Sequence, residues 1–271
     1  MRRFVTLDLE TVPDEALVSA VDGEPDRPYQ EQLRRVVAER RARTGGRSDF
    51  LPIPYHRPVA ACLLEAVEEG GIVRPVDVAA WTDHRSSEAD FLAEIWARLE
   101  GASLVTFHGR GFDLPVLELR SLKLGIAAPA WFGGPRRPGA GSHHDVKELL
   151  TAQGAAPAAP LDLYAKLVGL PGKEDVAGED VQQLYGAGAH DRIAAYCMTD
   201  VVQTYLIFLR YRLLEGSLTH DGYAESAEAA RVALPALFAR RLHAEERRIL
   251  DGFLGRCAPF FGGDEGRRRA V

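Results

Sequence analysis

The chain has 271 residues, of which 46% are hydrophobic and 27% are charged, as is typical of a globular protein that buries a full core. Its net charge of −6 at pH 7 argues against the general basic surface that grips duplex DNA through many phosphates. The three cysteines form no C-x-x-C pair, so neither a disulfide framework nor a thiolate zinc cage is expected. No stretch approaches the ~20 apolar residues that span a bilayer, and we expect a soluble, cytoplasmic protein with no membrane partner.

The first predicted element is a β-strand in the stretch RFVTLDLETVPD. Apolar Val5, Leu7 and Leu9 alternate with polar residues in this stretch. A period of two places the carboxylates of Asp8 and Glu10 on one face of the strand. A single D-x-E is common on strands, so these two acids alone leave open whether the face meets solvent or forms half of a metal site.

An arginine-rich segment over residues 27–43 contains many helix formers and is expected to be an insertion between strands. Its arginine side chains would either line a path for a nucleic-acid strand or form a solvated face of the helix. The interleaved Glu31 and Glu39 favour the solvated face. The arginines concerned are at positions 34, 35, 40, 41 and 43. Two β-like runs follow, VAACLLEAV and GIVRPVDVAAW, and the EEGG between them predicts a hairpin.

Helix and strand then alternate. The stretch SSEADFLAEIWARLEG has apolar residues at helical spacing behind a capping box, and ASLVTFHG is a short apolar strand. FDLPVLELRSLKLG predicts a second helix, with Pro115 in its first turn and Gly125 after its last. Breakers over residues 126–142 predict a loop, and HHDVKE predicts a short strand in which Asp145 lies near a site or in a surface turn.

The second half of the chain is predicted to be helical, including the long stretch DRIAAYCMTDVVQTYLIFLRYRLLEG. Residues 1–216 are expected to form one α/β domain, and residues 217–271, rich in Ala, Arg and Glu, a helical C-terminal extension.

Two further acids lie where a buried site would need them. Asp200 falls on the apolar stripe of the long helix, with Tyr196 one turn earlier on the same side. An acid on the inward side of a helix is costly unless it is paired, so Asp200 belongs to a polar site or lies at the boundary with water. Asp113 follows the strand ASLVTFHG, at the strand end where open α/β sheets place their sites, although it would also suit the first turn of a helix.

Taken together, the segments DLE, HGRGFDLP and YCMTD resemble the three motifs of the DEDD superfamily of 3′-5′ exonucleases, in the branch with a tyrosine in its last motif. The sequence is similar to the group of predicted 3′-5′ exonucleases related to the proofreading domain of family B DNA polymerases. FLPIPYHRPVA and LDLYAKLVGLPGK extend this resemblance, which covers about residues 1–225. His108 stands where the family motif usually has Asn, which affects substrate positioning rather than metal binding.

The resemblance implies a ribonuclease H-like α/β fold, a mixed β-sheet flanked by helices. It also implies two Mg²⁺ (or Mn²⁺) ions. Magnesium prefers carboxylate oxygens, and two metal ions about 3.5–4 Å apart can activate a water molecule and stabilise a leaving oxygen. Asp8 would bridge the ions, Glu10 and Asp200 would complete the ion that activates water, and Asp113 would hold the other through water. Tyr196 would orient that water, since a phenol with an ordinary pKa of about 10 is a poor base at neutral pH.

The implied function is a metal-dependent 3′-5′ exonuclease that releases nucleoside 5′-monophosphates from single-stranded or frayed DNA, with Thr11, His108 and Phe112 contacting substrate. A narrow acidic site favours one strand. The resemblance favours DNA, although no residue pattern separates DNA from RNA. A 3′-5′ exoribonuclease and a non-catalytic nucleic-acid-binding subunit on the same fold stay open, and the intact set of five side chains argues against the second. A polymerase or repair partner also stays open.

Overall fold

A mixed β-sheet lies at the centre of the structure, a computed structural model that describes residues 1–134, 136, 143–172 and 181–262. Its five strands run in the order β3-β2-β1-β4-β5, with β1, β2 and β3 antiparallel and β4 and β5 parallel to β1. The strands are β1 (Arg2–Pro13), β2 (His56–Glu69), β3 (Ile72–Thr82), β4 (Ser103–Thr106) and β5 (His143–Asp145).

Helices connect these strands and make up most of the second half of the chain. Those described in the first half are α1 (Glu15–Asp22), α2 (Tyr29–Arg43), a 3-10 turn (Ile53–Tyr55), α3 (Glu88–Leu99), α4 (Asp113–Leu124) and α5 (Pro129–Gly133). Those described later are α6 (Val146–Leu150), α7 (Leu161–Leu167), α8 (Val181–Gly186), α9 (His190–Leu214), α10 (His220–Arg241), α11 (Ala244–Arg256) and α12 (Ala258–Gly262).

The predicted hairpin is present as β2 and β3, joined through Gly70 and Gly71. Both glycines have positive φ, +60° and +78°. A two-residue turn with positive φ at both positions matches the twist of the flanking strands, and glycine adopts it without the steric cost of a Cβ. The EEGG stretch therefore sets the register of this hairpin.

The alternation in β1 directs its side chains to two separate cores. Val5, Leu7 and Leu9 pack against α3, α4 and α5 on one face of the sheet. Phe4 lies on the other face, in a core built largely from α9, α10 and α11. Because Asp8 and Glu10 share the period of Phe4, their side chains point toward α9. Helices thus cover both faces, which confirms the predicted fold class.

The C-terminal helices share the core of the α9 face. Phe238 of α10 and Phe253 of α11 are buried in the same cluster as Phe4 of β1. The Ser226 hydroxyl accepts a hydrogen bond from the Val73 N–H of β3 at 2.8 Å. The division at residue 216 stays a prediction, and residues 263–271 of the expected extension, with the terminal GRRRAV, lie outside the described residues.

Across the parts of the chain that the structure describes, the helices are too short or too polar to cross a membrane.

Candidate active site

Three predicted carboxylates meet over the centre of the sheet. Asp8, Glu10 and Asp200 each present an oxygen within 4.8 Å of an oxygen of the other two, and we term them the carboxylate cluster. Asp8 and Glu10 come from β1, while Asp200 comes from α9, which crosses that face. The Cys197 thiol, one turn from Asp200, lies 3.5 Å from the Asp8 carboxylate and fixes the contact between helix and strand.

Asp200 is buried, with 5% of its surface exposed. The structure therefore decides between the two interpretations of its position, because a carboxylate at the boundary with water would be exposed. Helix α9 is buried on nearly all sides between Ile193 and Leu209. A surface helix buries only one stripe of its circumference, so this part of α9 is a core helix.

Asp113 adds a fourth carboxylate beside the cluster. It is the first residue of α4, and its Oδ1 accepts a hydrogen bond from the Leu9 N–H of β1 at 3.0 Å. Burial is the main cause that raises the pKa of Asp113 to about 7; the charges of Asp145 and Asp200 add to it, and backbone hydrogen bonds partly oppose it. The carboxylate thus joins α4 to the centre of the sheet, and the neighbouring negative charge favours a bound cation.

Tyr196 lies on α9 one turn before Asp200 and is 7% exposed. Side chains four residues apart on a helix project from the same side, so the phenol and the Asp200 carboxylate share one face of α9. All five expected catalytic side chains therefore belong to β1, α4 and α9, the elements that meet at this point of the sheet.

The loop between β4 and α4 is fixed by Asp145, at the end of β5. Its carboxylate accepts hydrogen bonds from the N–H groups of His108 at 2.9 Å and Arg110 at 3.0 Å. Asp145 is 2% exposed, which decides against the surface turn that the sequence left open. Two glycines let the loop pass close to its neighbours, because a Cβ on Gly109 would lie 2.5 Å from the Thr106 side chain and one on Gly111 would meet the His108 ring.

His108 has a left-handed backbone, with φ of +67°. Asn, Asp and His adopt this region more readily than other residues with a side chain, so His is compatible with this backbone conformation. Burial lowers the pKa of His108 from 6.5, and the charge of Lys147 lowers it further. A neutral imidazole is therefore favoured at neutral pH.

Thr11 and Phe112 are connected through His56. The Thr11 hydroxyl lies 2.9 Å from His56 Nδ1, and the His56 ring meets the Phe112 ring edge-on with a centroid distance of 4.9 Å. Phe50, which is 56% exposed, stacks on His56 with a centroid distance of 4.8 Å, and its ring also lies 5.8 Å from that of Phe112. The three expected substrate contacts thus lie in two neighbouring groups, the loop of His108 and this aromatic set.

A cleft of about 490 Å³ opens beside the cluster. Asp8, Asp113, His108 and Phe112 line it together with Lys147. The sequence analysis did not single out Lys147, although a cation two residues after the strand-end Asp145 was a usable signal. Cys197 and His56 were likewise missed, because no sequence pattern places them beside Asp8 and Thr11.

The remaining sequence signals have structural roles. Burial lowers the pKa of His143 to about 3 and that of His144 to about 4, which keeps both rings neutral within the sheet. On α2, Arg43 pairs with Glu39 and Arg35 with Asp22, while Arg40 donates to the Phe50 carbonyl oxygen at 3.1 Å. These local contacts are typical of a solvated charged face.

The donor set of the carboxylate cluster fits a hard divalent cation. Asp8, Glu10 and Asp200 offer oxygen ligands alone, the type that Mg²⁺ and Mn²⁺ prefer over imidazole or thiolate. Carboxylates packed this closely repel one another, and a bound cation removes that repulsion.

The fold and this site together define the class of protein: a ribonuclease H-like α/β domain with clustered carboxylates at the centre of its sheet. A family described as "Predicted 3'-5' exonuclease related to the exonuclease domain of PolB" matches residues 48–248, more than half of the chain, and the protein belongs to this family. The matched range includes Asp113, Tyr196 and Asp200, whereas Asp8 and Glu10 precede it. The resemblance found in the sequence is thereby confirmed. No curated protein matches the chain significantly.

Proposed function

We propose that the protein is a metal-dependent 3′-5′ exonuclease that releases nucleoside 5′-monophosphates from single-stranded or frayed DNA. The observation that carries this proposal is the carboxylate cluster: in a member of an exonuclease family, Asp8, Glu10 and Asp200 bring three oxygens within 4.8 Å of one another. Acids at such distances without a functional reason would weaken the fold.

The four carboxylates Asp8, Glu10, Asp113 and Asp200 would hold two Mg²⁺ or Mn²⁺ ions. Bound there, the ions supply Lewis-acid activation of a water molecule and charge stabilisation of the leaving oxygen. The cleft beside Asp8 and Asp113 provides the space for a terminal nucleotide next to these ligands.

The neighbouring side chains would position the reacting groups. The Tyr196 hydroxyl, on the Asp200 side of α9, would orient the attacking water by hydrogen bonding. Lys147 lines the cleft together with Asp8 and Asp113, and its ammonium would pair with a phosphate of the bound strand. This positive charge offsets part of the repulsion between the substrate backbone and the acids.

Thr11, His108 and Phe112 would contact the terminal nucleotides. His108 and Phe112 line the cleft, and Thr11 is linked to Phe112 through His56. An aromatic face accepts any base by stacking, and such contacts suit a single strand rather than a paired one. The net charge of −6 also disfavours long duplex contacts.

Two alternatives share the site. A 3′-5′ exoribonuclease would use the same acids and differ in its response to the 2′-hydroxyl. A non-catalytic nucleic-acid-binding subunit would keep the fold and lose turnover. A cytoplasmic location and a polymerase or repair partner remain predictions from the sequence.

The test is degradation of a 5′-labelled single-stranded DNA oligomer, with an RNA oligomer of the same sequence, in Mg²⁺, in Mn²⁺ and in EDTA. We expect a metal-dependent ladder that shortens from the 3′ end, with DNA the faster substrate. Asp8→Ala should abolish the ladder, whereas Asp251→Ala, which removes an exposed carboxylate on α11, should leave it unchanged.

Each result separates the three functions. Faster cleavage of RNA would identify the exoribonuclease. Binding of both oligomers with no shortening of either would identify the non-catalytic subunit. A ladder of equal intensity from Asp8→Ala would show that the activity does not come from this site.

A further inference from the structure

A second group of metal-ligand side chains lies where β3 ends and α9 begins. Asp83 and His84 directly follow β3, and His190 is the first residue of α9. One ligand atom from each of the three lies within 4.8 Å of the other two, and we term this group the histidine site.

The histidine site is separate from the carboxylate cluster. Thr82 pairs with Ala60 across the sheet, and Ala60 pairs with Glu10, so two strand spacings of about 4.8 Å each separate the two regions. Along α9, His190 precedes Tyr196 by six residues, or roughly 9 Å of helix. The two groups share no ligand.

The strongest observation is a pair of buried atoms. His190 Nδ1 and Asp83 Oδ1 lie 3.5 Å apart, and within the described ranges neither atom makes a hydrogen bond. Ligands at about 2.0–2.1 Å from a tetrahedral Zn²⁺ lie roughly 3.3–3.4 Å from each other. The two atoms are therefore spaced as adjacent ligands of one ion.

The surrounding contacts orient these ligands. Asp83 Oδ2 accepts hydrogen bonds from Arg57 at 2.7 Å and from the Tyr185 hydroxyl at 2.8 Å, which leaves Oδ1 for another partner. The Thr82 hydroxyl lies 2.9 Å from His84 Nδ1, which leaves Nε2 as the nitrogen of that ring that can bind a metal ion. Metal-binding histidines and carboxylates commonly have their second polar atom held in this way.

The competing interpretation is an ion pair between Asp83 and a protonated His190. Arg57 pairs with Asp83 Oδ2, and the distance of 3.5 Å between Oδ1 and His190 Nδ1 is long for a hydrogen-bonded ion pair. The ring of His84 lies 4.4 Å from that of His190, and two protonated rings at this distance would repel each other. One nitrogen from each ring and one carboxylate oxygen converge here, and together they form a set of three metal ligands.

We propose that Asp83, His84 and His190 bind one divalent transition-metal ion of the Zn²⁺ type. Imidazole ligands select Zn²⁺, Co²⁺, Ni²⁺ or Cu²⁺ over Mg²⁺, and three protein ligands leave a fourth position for water. His84 is exposed and gives the ion a route from solvent. A bound ion would join the end of β3 to the start of α9, the helix that carries Tyr196 and Asp200.

The experiment uses the full chain with Asp8→Asn and Asp200→Asn, so that the carboxylate cluster cannot account for binding. Titration calorimetry with Zn²⁺ should give one ion per chain, and Co²⁺ should develop visible absorption typical of nitrogen and oxygen ligands. Zn²⁺ should raise the melting temperature of this protein, and Mg²⁺ should not.

Adding His84→Ala or His190→Ala should weaken Zn²⁺ binding at least about tenfold, since even outer-shell changes commonly have an effect of that size. His220→Ala is the matched control, because His220 is an exposed histidine at the first position of α10. Absence of binding in the parent, or equal affinity in the His84→Ala chain, would overturn the proposal. His84 is exposed, so its removal leaves the fold intact, and circular dichroism checks this. These readouts do not involve nuclease activity, so they are independent of the proposed function.

Discussion

At the residue scale, burial gives Asp113 a property that its neighbours in sequence do not indicate. The carboxyl is 4% exposed and lies near the charges of Asp145 and Asp200, and its pKa is raised to about 7. An unfolded chain would give this group a pKa of about 3.9. Between about pH 4 and pH 7, the folded protein without metal therefore retains a proton on Asp113 that the unfolded chain releases.

This difference predicts how stability depends on pH. The contribution of protonated Asp113 to stability is fully present below about pH 4 and is lost as pH rises through about 7. The free energy of unfolding should fall by about 4 kcal/mol over this range. Asp113→Asn cannot titrate and should remove this dependence. Urea unfolding in EDTA from pH 4 to pH 8 measures it in both chains.

Asp14 provides an internal reference for that measurement. Burial raises its pKa, but hydrogen bonds from Lys123 and Arg120 outweigh this effect and lower the pKa to about 2. The stabilisation from Asp14 is lost only as pH falls below about 4, so it stays constant across the window used for Asp113. An unchanged slope in Asp113→Asn would contradict the assignment of the proton to Asp113.

Tyr196 is the second prediction at this scale. Tyr196→Phe removes only the hydroxyl, so we expect kcat to fall roughly 100-fold, as for a group that positions a reacting proton, with little change in KM. Metal affinity, measured by calorimetry, should be unchanged because the carboxylates remain. Tyr211→Phe, on the same helix, is the control. A loss of metal affinity equal to the loss of kcat would instead indicate a structural role for the phenol.

At the scale of elements, the loop between β4 and α4 positions Phe112 and Asp113. Asp145 holds its N–H groups, and Gly109 allows its close passage over Thr106. The motif HGRGFDLP thus specifies a backbone path as well as an acid, which is why a left-handed His108 suits it.

Gly109→Ala tests this loop. The added Cβ would lie 2.5 Å from the Thr106 side chain, so the loop must shift, at a cost of about 1–3 kcal/mol for such overpacking. We expect a lower melting temperature and a loss of activity, because Asp113 moves with the loop. Gly255→Ala, at an exposed position of α11 with no atom within 4 Å of the new Cβ, should instead be neutral or stabilising by up to about 1 kcal/mol. Equal melting temperatures for the two variants would contradict this account.

At the scale of the whole molecule, α10 and the sheet form one core. Tyr223, Leu234 and Phe238 are each no more than 1% exposed. Burial of side chains of this size contributes roughly 1.5–3 kcal/mol each, and a folded protein has a total stability of about 5–15 kcal/mol. The helices after residue 216 therefore supply a large share of the stability.

A chain that ends at residue 216 should lose cooperative unfolding or aggregate, because removal of α10 exposes the apolar face of β3 and α9. Calorimetry and light scattering measure both effects. A chain that ends at residue 262 keeps every described helix and is the control. If the chain of 216 residues unfolded at the control temperature, the C-terminal region would be an accessory extension.

The sequence could predict the parts of the site that depend on local periodicity. A period of two places Asp8 and Glu10 on one face of β1, and four-residue spacing places Tyr196 and Asp200 on one face of α9, whatever else these elements contact. Gly70 and Gly71 likewise determine a hairpin through their own backbone freedom. These relations involve residues close in the chain, so neighbouring φ and ψ angles are sufficient to set them.

Tertiary structure alone decided which of these faces meet. The approach of Asp200 to Asp8, the hydrogen bond from the Leu9 N–H to Asp113, and the approach of His190 to Asp83 each join residues about 100 or more positions apart. Such distances follow from strand register, from helix packing and from the removal of water around each group, which no local pattern encodes. The raised pKa of Asp113 has the same origin, because it depends on burial by elements that surround this carboxyl only in the folded protein.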